Sequence, residues 1–290
     1  MAIMLIRSGL MRSARARGWG VLLGVLILAV AILFGLVVFV WSVLAGTGPG
    51  DGAGGPPSGL PPVTASTPSI RSSPSTSADG VLEAAENALA ARAMLEVGPA
   101  DALPQPIADS TTTSPLKTAP LILPAATNTT GLVPTGYTRT PAGAVAQLGA
   151  IDALAFKDLN PASPRQAYEW AALPGAVPLQ AWTPQVGVSA ILGAAGTPDG
   201  SSELTSTWTL THAQVKGVLD DGNFVVACVL GEFDANYRST VRAGIGDCQR
   251  MVWQGSRWWI GPGAQPTFAP STWPGSPDCV RAGWQAVANA

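Results

Sequence analysis

The chain is 290 residues long, 12% of them charged and 47% hydrophobic, and its formal net charge at pH 7 is −2. Soluble globular proteins average about 25% charged residues, so at least one segment of this sequence is unusually apolar. Because the net charge is near neutral and no basic patch follows the N-terminus, composition argues against direct nucleic-acid binding, and we expect none.

The N-terminal part of the sequence predicts one membrane-spanning helix over residues 18–45. No charged residue occurs in this stretch, which is longer than the roughly 20 apolar residues that a spanning helix needs. Trp19 and Trp41 mark its two ends as interfacial membrane anchors, since tryptophan collects at membrane surfaces. A cleaved signal peptide is the alternative, but its apolar region typically covers only about 7–15 residues.

The arginines that flank this helix predict its orientation. Residues 1–17 form a basic tail, and after the helix no Lys or Arg occurs before Arg71. The arginines of the tail are Arg7, Arg12, Arg15 and Arg17. The positive-inside rule then places the N-terminus in the cytoplasm and the rest of the chain outside it. We therefore expect a single-pass protein of the cell membrane with an extracytoplasmic C-terminal domain.

A linker and a stalk are predicted between the membrane and that domain. Residues 46–80 are dominated by Gly, Pro, Ser and Thr, which offer too little apolar surface to offset the entropy of ordering. A short helix follows over residues 81–96, either isolated or packed against the distal domain. Residues 97–135 are again rich in Pro and Thr, so residues 81–135 are interpreted as a short helix and a stalk.

The extracytoplasmic domain is predicted over residues 136–290, and it begins with helices. Thr140 and Pro141 provide an N-cap and a first-turn proline, and apolar residues then recur at helical spacing. A second short helix is expected from residue 163, and a third over residues 188–195.

From residue 204 onward the pattern favours β-strands. The predicted strands cover residues 204–219, 223–231, 237–253 and 257–260, with turns at 220–223, 234–236 and 254–256. Both faces of residues 224–230 are apolar, so this strand is expected to be central and covered on both sides. A short helix is predicted near residues 280–287. Helices followed by an antiparallel meander indicate an α+β fold, with helices packed on a curved antiparallel sheet.

Three sequence runs carry a resemblance to a known family. They are residues 136–146 (GYTRTPAGAVA), 246–258 (GDCQRMVWQGSRW) and 269–276 (APSTWPGS). Together they resemble membrane-anchored proteins of actinobacterial integrative and conjugative elements, and the likeness covers roughly residues 131–285. The resemblance implies a part in a conjugative, type IV-like DNA-transfer apparatus. It also implies a cone-shaped distal domain similar to the nuclear transport factor 2-like fold of bridging subunits in type IV secretion. Cys279 departs from the pattern of the family.

We therefore expect a non-enzymatic scaffold subunit, without cofactors, whose partners are the membrane and protein subunits of the transfer complex, self-association included. One alternative is an extracytoplasmic accessory protein of a lipid transporter. The other is an enzyme or a small-ligand-binding protein with a pocket between helices and sheet. A polar pocket with a pair of ionisable groups favours this last alternative, whereas a closed apolar cone with an exposed aromatic face favours the scaffold.

No catalytic or metal-binding motif is recognisable in the sequence. His212 is the only histidine, it has no motif around it, and we expect a structural role. The acidic residues of the C-terminal half are expected in solvated turns, because they lack the spacing of a calcium loop. These residues are Asp220, Asp221, Glu232, Asp234 and Asp247.

The three cysteines predict one disulfide bond and one free thiol, because disulfides persist outside the cytoplasm. Cys228 and Cys248 are the favoured pair, since a hairpin brings their strands together. A turn near residue 236 offsets the two cysteines, so a bulge at residues 244–246 is expected to restore the register. The alternative is three thiols packed as small apolar side chains.

Aromatic residues near the C-terminus offer a candidate partner surface, because tryptophan is enriched where protein recognition is concentrated. Trp253, Arg257 and Trp273 are the residues proposed for it. Trp253 is expected to face Arg257 across the last hairpin. The alternative is that these tryptophans fill the core or cover the sheet.

Overall fold

Helices precede most of the strands in the computed structural model, which describes residues 78–108 and 119–290. In this part of the chain the helices are α1 (Ala78–Ala91), α2 (Pro141–Ala155), α3 (Ser163–Ala171), α4 (Thr183–Ala194) and α5 (Pro277–Arg281). The strands are β1 (Leu121–Leu123), β2 (Thr205–Leu219), β3 (Phe224–Tyr237), β4 (Ser239–Gln254), β5 (Arg257–Ile260) and β6 (Gln285–Asn289). The helices pack on a strongly curled, half-barrel sheet, which confirms the predicted α+β class.

The predicted membrane-proximal features lie outside the described residues. These are the basic tail at residues 1–17, the helix at residues 18–45 with Trp19 and Trp41, and the linker up to residue 77. Within the two described ranges, no helix combines the length and the apolar character that a bilayer crossing requires.

The sheet formed by the described residues is mixed, with the strand order β1-β6-β2-β3-β4-β5. Strands β2 to β5 form the predicted antiparallel meander, and β6 pairs antiparallel with β2. However, β1 runs parallel to β6, so the prediction of a wholly antiparallel sheet is wrong. A strand of 3 residues is too short for its alternation to be recognised, and it lies in the stretch interpreted as a stalk.

The C-terminal tail forms a strand in place of the helix predicted at residues 280–287. Helix α5 ends at Arg281, and Gly283 follows with a left-handed φ of 82°. Glycine in this conformation is a common helix terminator. The chain then extends as β6 and lies between β1 and β2.

Strand β3 lies inside the sheet, and its first half is buried on both faces. Val225, Ala227 and Val229 belong to the core beneath α2, α3 and α4. The residues that alternate with them, Phe224, Val226, Cys228 and Leu230, belong to two clusters on the opposite face. The prediction of a central strand covered on both sides is therefore confirmed.

Helix α1 and the C-terminal segment cover this opposite face. Ala90 packs with Phe224 and Val226, while Met94 and Trp284 pack around the two cysteines of the hairpin. Of the two placements predicted for the first helix, the structure shows the one against the domain. Helix α1 and strand β1, which precede residue 136, thus pack with the rest of the sheet.

The β3–β4 hairpin closes at Arg238, which has a left-handed φ of 56°. The turn predicted at residues 234–236 is wrong, because both strands continue until Tyr237 pairs with Ser239. The acidic and amide side chains that suggest a turn there lie within paired strands instead. Thr240, for example, donates a hydrogen bond to the Asn236 side chain at 2.7 Å.

The same register explains the disulfide bond. Cys228 lies directly opposite Cys248 without any bulge at residues 244–246, and the two sulfurs are bonded. This is the pair favoured from sequence. Cys279 is free and buried beside them.

Candidate functional site

An arginine stacked between two tryptophans lies at the β5 edge of the sheet. The guanidinium carbon of Arg257 is 3.8 Å from the Trp170 ring centroid and 3.4 Å from the Trp259 ring centroid. Its Nη2 also donates a hydrogen bond to the Trp170 carbonyl oxygen at 3.0 Å. All three residues are half-buried. We call this group the arginine–tryptophan surface; its contacts hold the guanidinium in one orientation.

The three residues proposed for a partner surface lie in different surroundings. Gln254, and not Trp253, pairs with Arg257, because the β4–β5 turn contains two residues instead of three. Trp253 packs edge-on against Trp258, with ring centroids 5.3 Å apart. Trp273 is buried at the opposite end of β4, where the Arg242 guanidinium lies 5.0 Å from its ring. Trp273 therefore does not join Arg257 in one surface.

A second candidate site is a pair of buried carboxyl groups between the helices and the sheet. Asp152 on α2 is 0% exposed and Asp247 on β4 is 2% exposed. Burial, followed by the negative charge of Asp247, raises the pKa of Asp152 well above its ordinary value. The prediction of a solvated turn at Asp247 is wrong, because this residue lies inside a paired strand that continues to Gln254.

Asp247 is bonded within the protein, whereas Asp152 is not. Gln249 Nε2 donates to both carboxylate oxygens of Asp247, at 3.0 and 2.8 Å. Burial raises the pKa of Asp247 to about 6, although the hydrogen bonds from Gln249 lower it. Among the described residues, neither oxygen of Asp152 has a hydrogen-bond partner, and neither carboxylate forms an ion pair. Burying an ionised carboxylate that has no hydrogen-bond donor costs free energy. The protonated form of the pair is therefore favoured.

A cleft lies one side chain away from Asp247. It has a volume of about 580 Å³ and lies between residues 175–181 and residues 263–265. Gln265 in its wall accepts a hydrogen bond from Gln249 Nε2 at 3.5 Å and donates to the Cys248 carbonyl at 2.7 Å. Gln249 therefore contacts both the wall of the cleft and Asp247. A carboxyl pair so placed can exchange a proton with a ligand or bind a cationic group.

The surroundings of His212 fit the structural role expected for it. His212 is half-buried on β2, where its Nδ1 lies 3.1 Å from the Thr211 hydroxyl and burial lowers its pKa. In residues 78–108 and 119–290, no group of three or more His, Cys, Asp or Glu side chains is arranged to hold a metal ion.

The other acidic residues divide into two groups. Asp220 and Asp221 lie in the turn before β3, as predicted. Glu232 and Asp234 do not lie in turns, because they belong to β3 and both form ion pairs with Arg242 on the neighbouring strand.

Part of the Asp247 position follows from the sequence once the disulfide is assumed. Strand alternation places Asp247 and Gln249 on the face of β4 that Cys248 does not occupy, but the sequence does not say that α2, α3 and α4 cover that face. The carboxylate of Asp152 carries no comparable signal, because an acidic residue in an Ala-rich helix ordinarily faces solvent.

No protein-family model, curated protein or solved structure matches the chain. The likeness to conjugative-element proteins rests on the three sequence runs alone. The run at residues 246–258 contains both Asp247 and Arg257, so it contributes to each of the two candidate sites. The run at residues 269–276 lies against β4, where the Ser271 hydroxyl accepts a hydrogen bond from the Gly246 backbone at 3.1 Å.

Proposed function

We propose that this protein is a membrane-anchored, non-enzymatic scaffold subunit of a conjugative, type IV-like DNA-transfer apparatus. In this proposal residues 18–45 span the membrane with the N-terminus in the cytoplasm. The α+β domain is then an extracytoplasmic cone of the nuclear transport factor 2-like type. Its partners are the membrane and protein subunits of the apparatus, further copies of this chain included.

The observation that carries this proposal is the arginine–tryptophan surface. Arginine and tryptophan are the residue types that most often dominate the binding energy of protein interfaces. Arg257 is already held between Trp170 and Trp259, so little side-chain entropy is lost when a partner binds there. The buried Cys228–Cys248 bond supports a location outside the cytoplasm, since disulfides rarely persist in reducing compartments.

The test is in-cell photo-crosslinking of the full-length protein, with the crosslinker at Ser256, an exposed residue next to Arg257. We expect crosslinks to protein subunits of the apparatus. Arg257→Ala should reduce both these crosslinks and the DNA-transfer frequency by about thirtyfold, because truncated hot-spot residues commonly cost about 2 kcal/mol or more.

Arg165→Ala is the matched control, since Arg165 is an exposed arginine on α3 whose ion pair with Glu169 is 4.0 Å long. It should leave both crosslinks and transfer unchanged. Normal crosslinking and transfer in Arg257→Ala and in Trp259→Ala, with the fold preserved, would contradict the scaffold proposal at this surface.

A second function, the binding of a small ligand, is favoured by one specific observation. Asp152 and Asp247 form a buried pair next to a cleft of about 580 Å³, and scaffold packing alone does not require two buried carboxyl groups. Ligand binding and partner binding use different parts of the domain, so they are compatible with each other.

A further inference from the structure

We infer that the Asp152–Asp247 pair and the adjacent cleft form a binding site for a small organic amine. The ammonium group binds at the two carboxylates, and the apolar body of the molecule occupies the cleft. This inference does not depend on the proposed scaffold role, because it uses neither the membrane helix nor the arginine–tryptophan surface.

The first step is the charge on this side of the sheet. Buried charges in proteins are normally paired, but Asp152 and Asp247 have no cationic partner in the described residues. The buried cations of the sheet, Lys216 and Arg250, bond instead to the segment of α1 on the opposite face. The pair therefore favours its protonated form in the free protein, and a bound cation compensates the negative charge that forms when the pair releases a proton.

The second step is the hydrogen-bonding capacity of the pair. Asp152 is 0% exposed, and both of its oxygens lack a donor in the part of the chain that the structure describes. A protonated amine supplies up to three N–H donors together with a positive charge. A carboxylate or phosphate ligand would add like charge and no donors, so the site discriminates against anions.

The third step is access and shape. The cleft wall is made largely of small apolar side chains, Ala176, Val177, Pro178, Ala181 and Ala264 among them. Its volume of about 580 Å³ is in the usual range for small-molecule sites, roughly 300–1,000 Å³. The cleft therefore fits an apolar body.

The polar end of such a ligand reaches Asp247 by way of two glutamines. Gln265 is half-buried in the cleft wall, and Gln249 connects it to Asp247. Rotation of these two amide side chains opens the path, and the ammonium then donates to the Asp247 carboxylate in place of Gln249 Nε2, so that this buried acceptor keeps a donor. Gln249 and Gln265 then exchange their mutual hydrogen bond for hydrogen bonds to the ligand.

The experiment measures binding of three matched probes to the full chain in lipid nanodiscs, with empty nanodiscs as the blank. The probes are 4-phenylbutylamine, 4-phenylbutanol and 4-phenylbutyrate, which share an apolar body and differ in head-group charge. By isothermal titration calorimetry at neutral pH, we expect the amine to bind at least about tenfold more tightly than the alcohol, and the carboxylate not to bind.

Two variants locate the site. Asp152→Asn keeps the shape of the side chain and removes its charge, so the amine should lose its preference over the alcohol to within about threefold. Ala264→Trp, at an exposed position of the cleft wall, should weaken binding of amine and alcohol alike. Equal binding of amine and alcohol to the unmodified chain, no binding of any probe, or an unchanged amine preference in Asp152→Asn would each overturn the inference.

Discussion

Asp247 and Arg250 are three positions apart on β4 and project to opposite faces of the sheet. Asp247 lies on the helix side, bonded to Gln249, whereas the Arg250 guanidinium donates twice to Asn87 on α1, each time at 2.9 Å. The sheet therefore separates buried acids from buried cations. The buried charged groups on each face of the sheet must therefore find their hydrogen-bond partners on that face. The following predictions test these contacts.

Asp152→Asn should stabilise the protein at neutral pH. Burial raises the pKa of Asp152 and takes that of Asp247 to about 6, so the folded state keeps protons that the unfolded chain releases above about pH 4. The free energy of unfolding of the wild type should therefore fall as the pH rises from about 4 to about 6 and beyond.

Removing the ionisable group should raise the free energy of unfolding near pH 7, since the folded wild type must there either bind a proton or keep an unpaired buried charge. Urea unfolding of wild type and variant at several pH values measures the effect. Asp199→Asn, at an exposed position, is the control and should change nothing. A destabilised Asp152→Asn variant would show that the charged form of Asp152 is the one that the fold requires.

Lys216→Met should loosen α1 from the sheet. The Lys216 ammonium donates hydrogen bonds to the carbonyl oxygens of Ala90, Arg92 and Thr267, at 3.2, 2.8 and 3.3 Å. Methionine fills a similar volume but leaves these buried acceptors without their donor, which should cost roughly 2–4 kcal/mol of unfolding free energy. Limited proteolysis should then cut the chain near α1 sooner, while the exposed Lys157→Met control stays resistant.

The cysteines should show one bridge and one protected thiol. Mass spectrometry of non-reduced protein is expected to find the peptides of Cys228 and Cys248 joined. Cys279 is 0% exposed, so it should react with an alkylating reagent only after denaturation. Rapid alkylation of Cys279 in the native protein, or a bridge that includes it, would contradict the packing described for this face.

The proposed membrane topology can be tested with a phosphatase that is active only outside the cytoplasm. If residues 18–45 span the membrane as proposed, a phosphatase fused after Leu60 should be active, because the positive-inside rule keeps the arginine-rich N-terminus in the cytoplasm. Replacing Arg7, Arg12, Arg15 and Arg17 with Glu should lower this activity. An inactive fusion in the unmodified background, at normal protein levels, would reverse the predicted orientation.

Long elements with strong local signals could be predicted from the sequence. The N-cap at Thr140 is formed as expected, since its hydroxyl accepts a hydrogen bond from the Gly143 backbone at 3.1 Å. The double-faced burial of β3 also follows directly from its unbroken apolar run. Both signals are local, so neither depends on how distant parts of the chain meet.

Features that depend on distant partners could not be predicted in this way. β1 and β6 are short, and their pairing joins residues more than 160 positions apart, such as Leu121 and Val287. Asp247 looks like a turn residue until the partner strand is known, since its burial depends on helices from other parts of the chain. The turn predicted near Asp234 from its composition is wrong for the same reason. The charge of Asp234 is paired with Arg242 across the hairpin.

Val226→Asp should prevent the domain from folding. Val226 is 0% exposed on β3 and packs with Phe224 and Ala90 beneath α1. A carboxylate placed there loses its hydration, and an unpaired buried charge costs several kcal/mol, comparable with the roughly 5–15 kcal/mol total stability of a typical domain.

The matched control for this substitution is Val218→Asp on the neighbouring strand β2. Val218 is 41% exposed, so its carboxylate remains hydrated and the cost should stay below about 1 kcal/mol. Circular dichroism and urea unfolding of the two variants give the comparison. Cooperative unfolding of Val226→Asp at the wild-type midpoint would mean that α1 does not cover this face in solution, because only its removal gives the new carboxylate access to water.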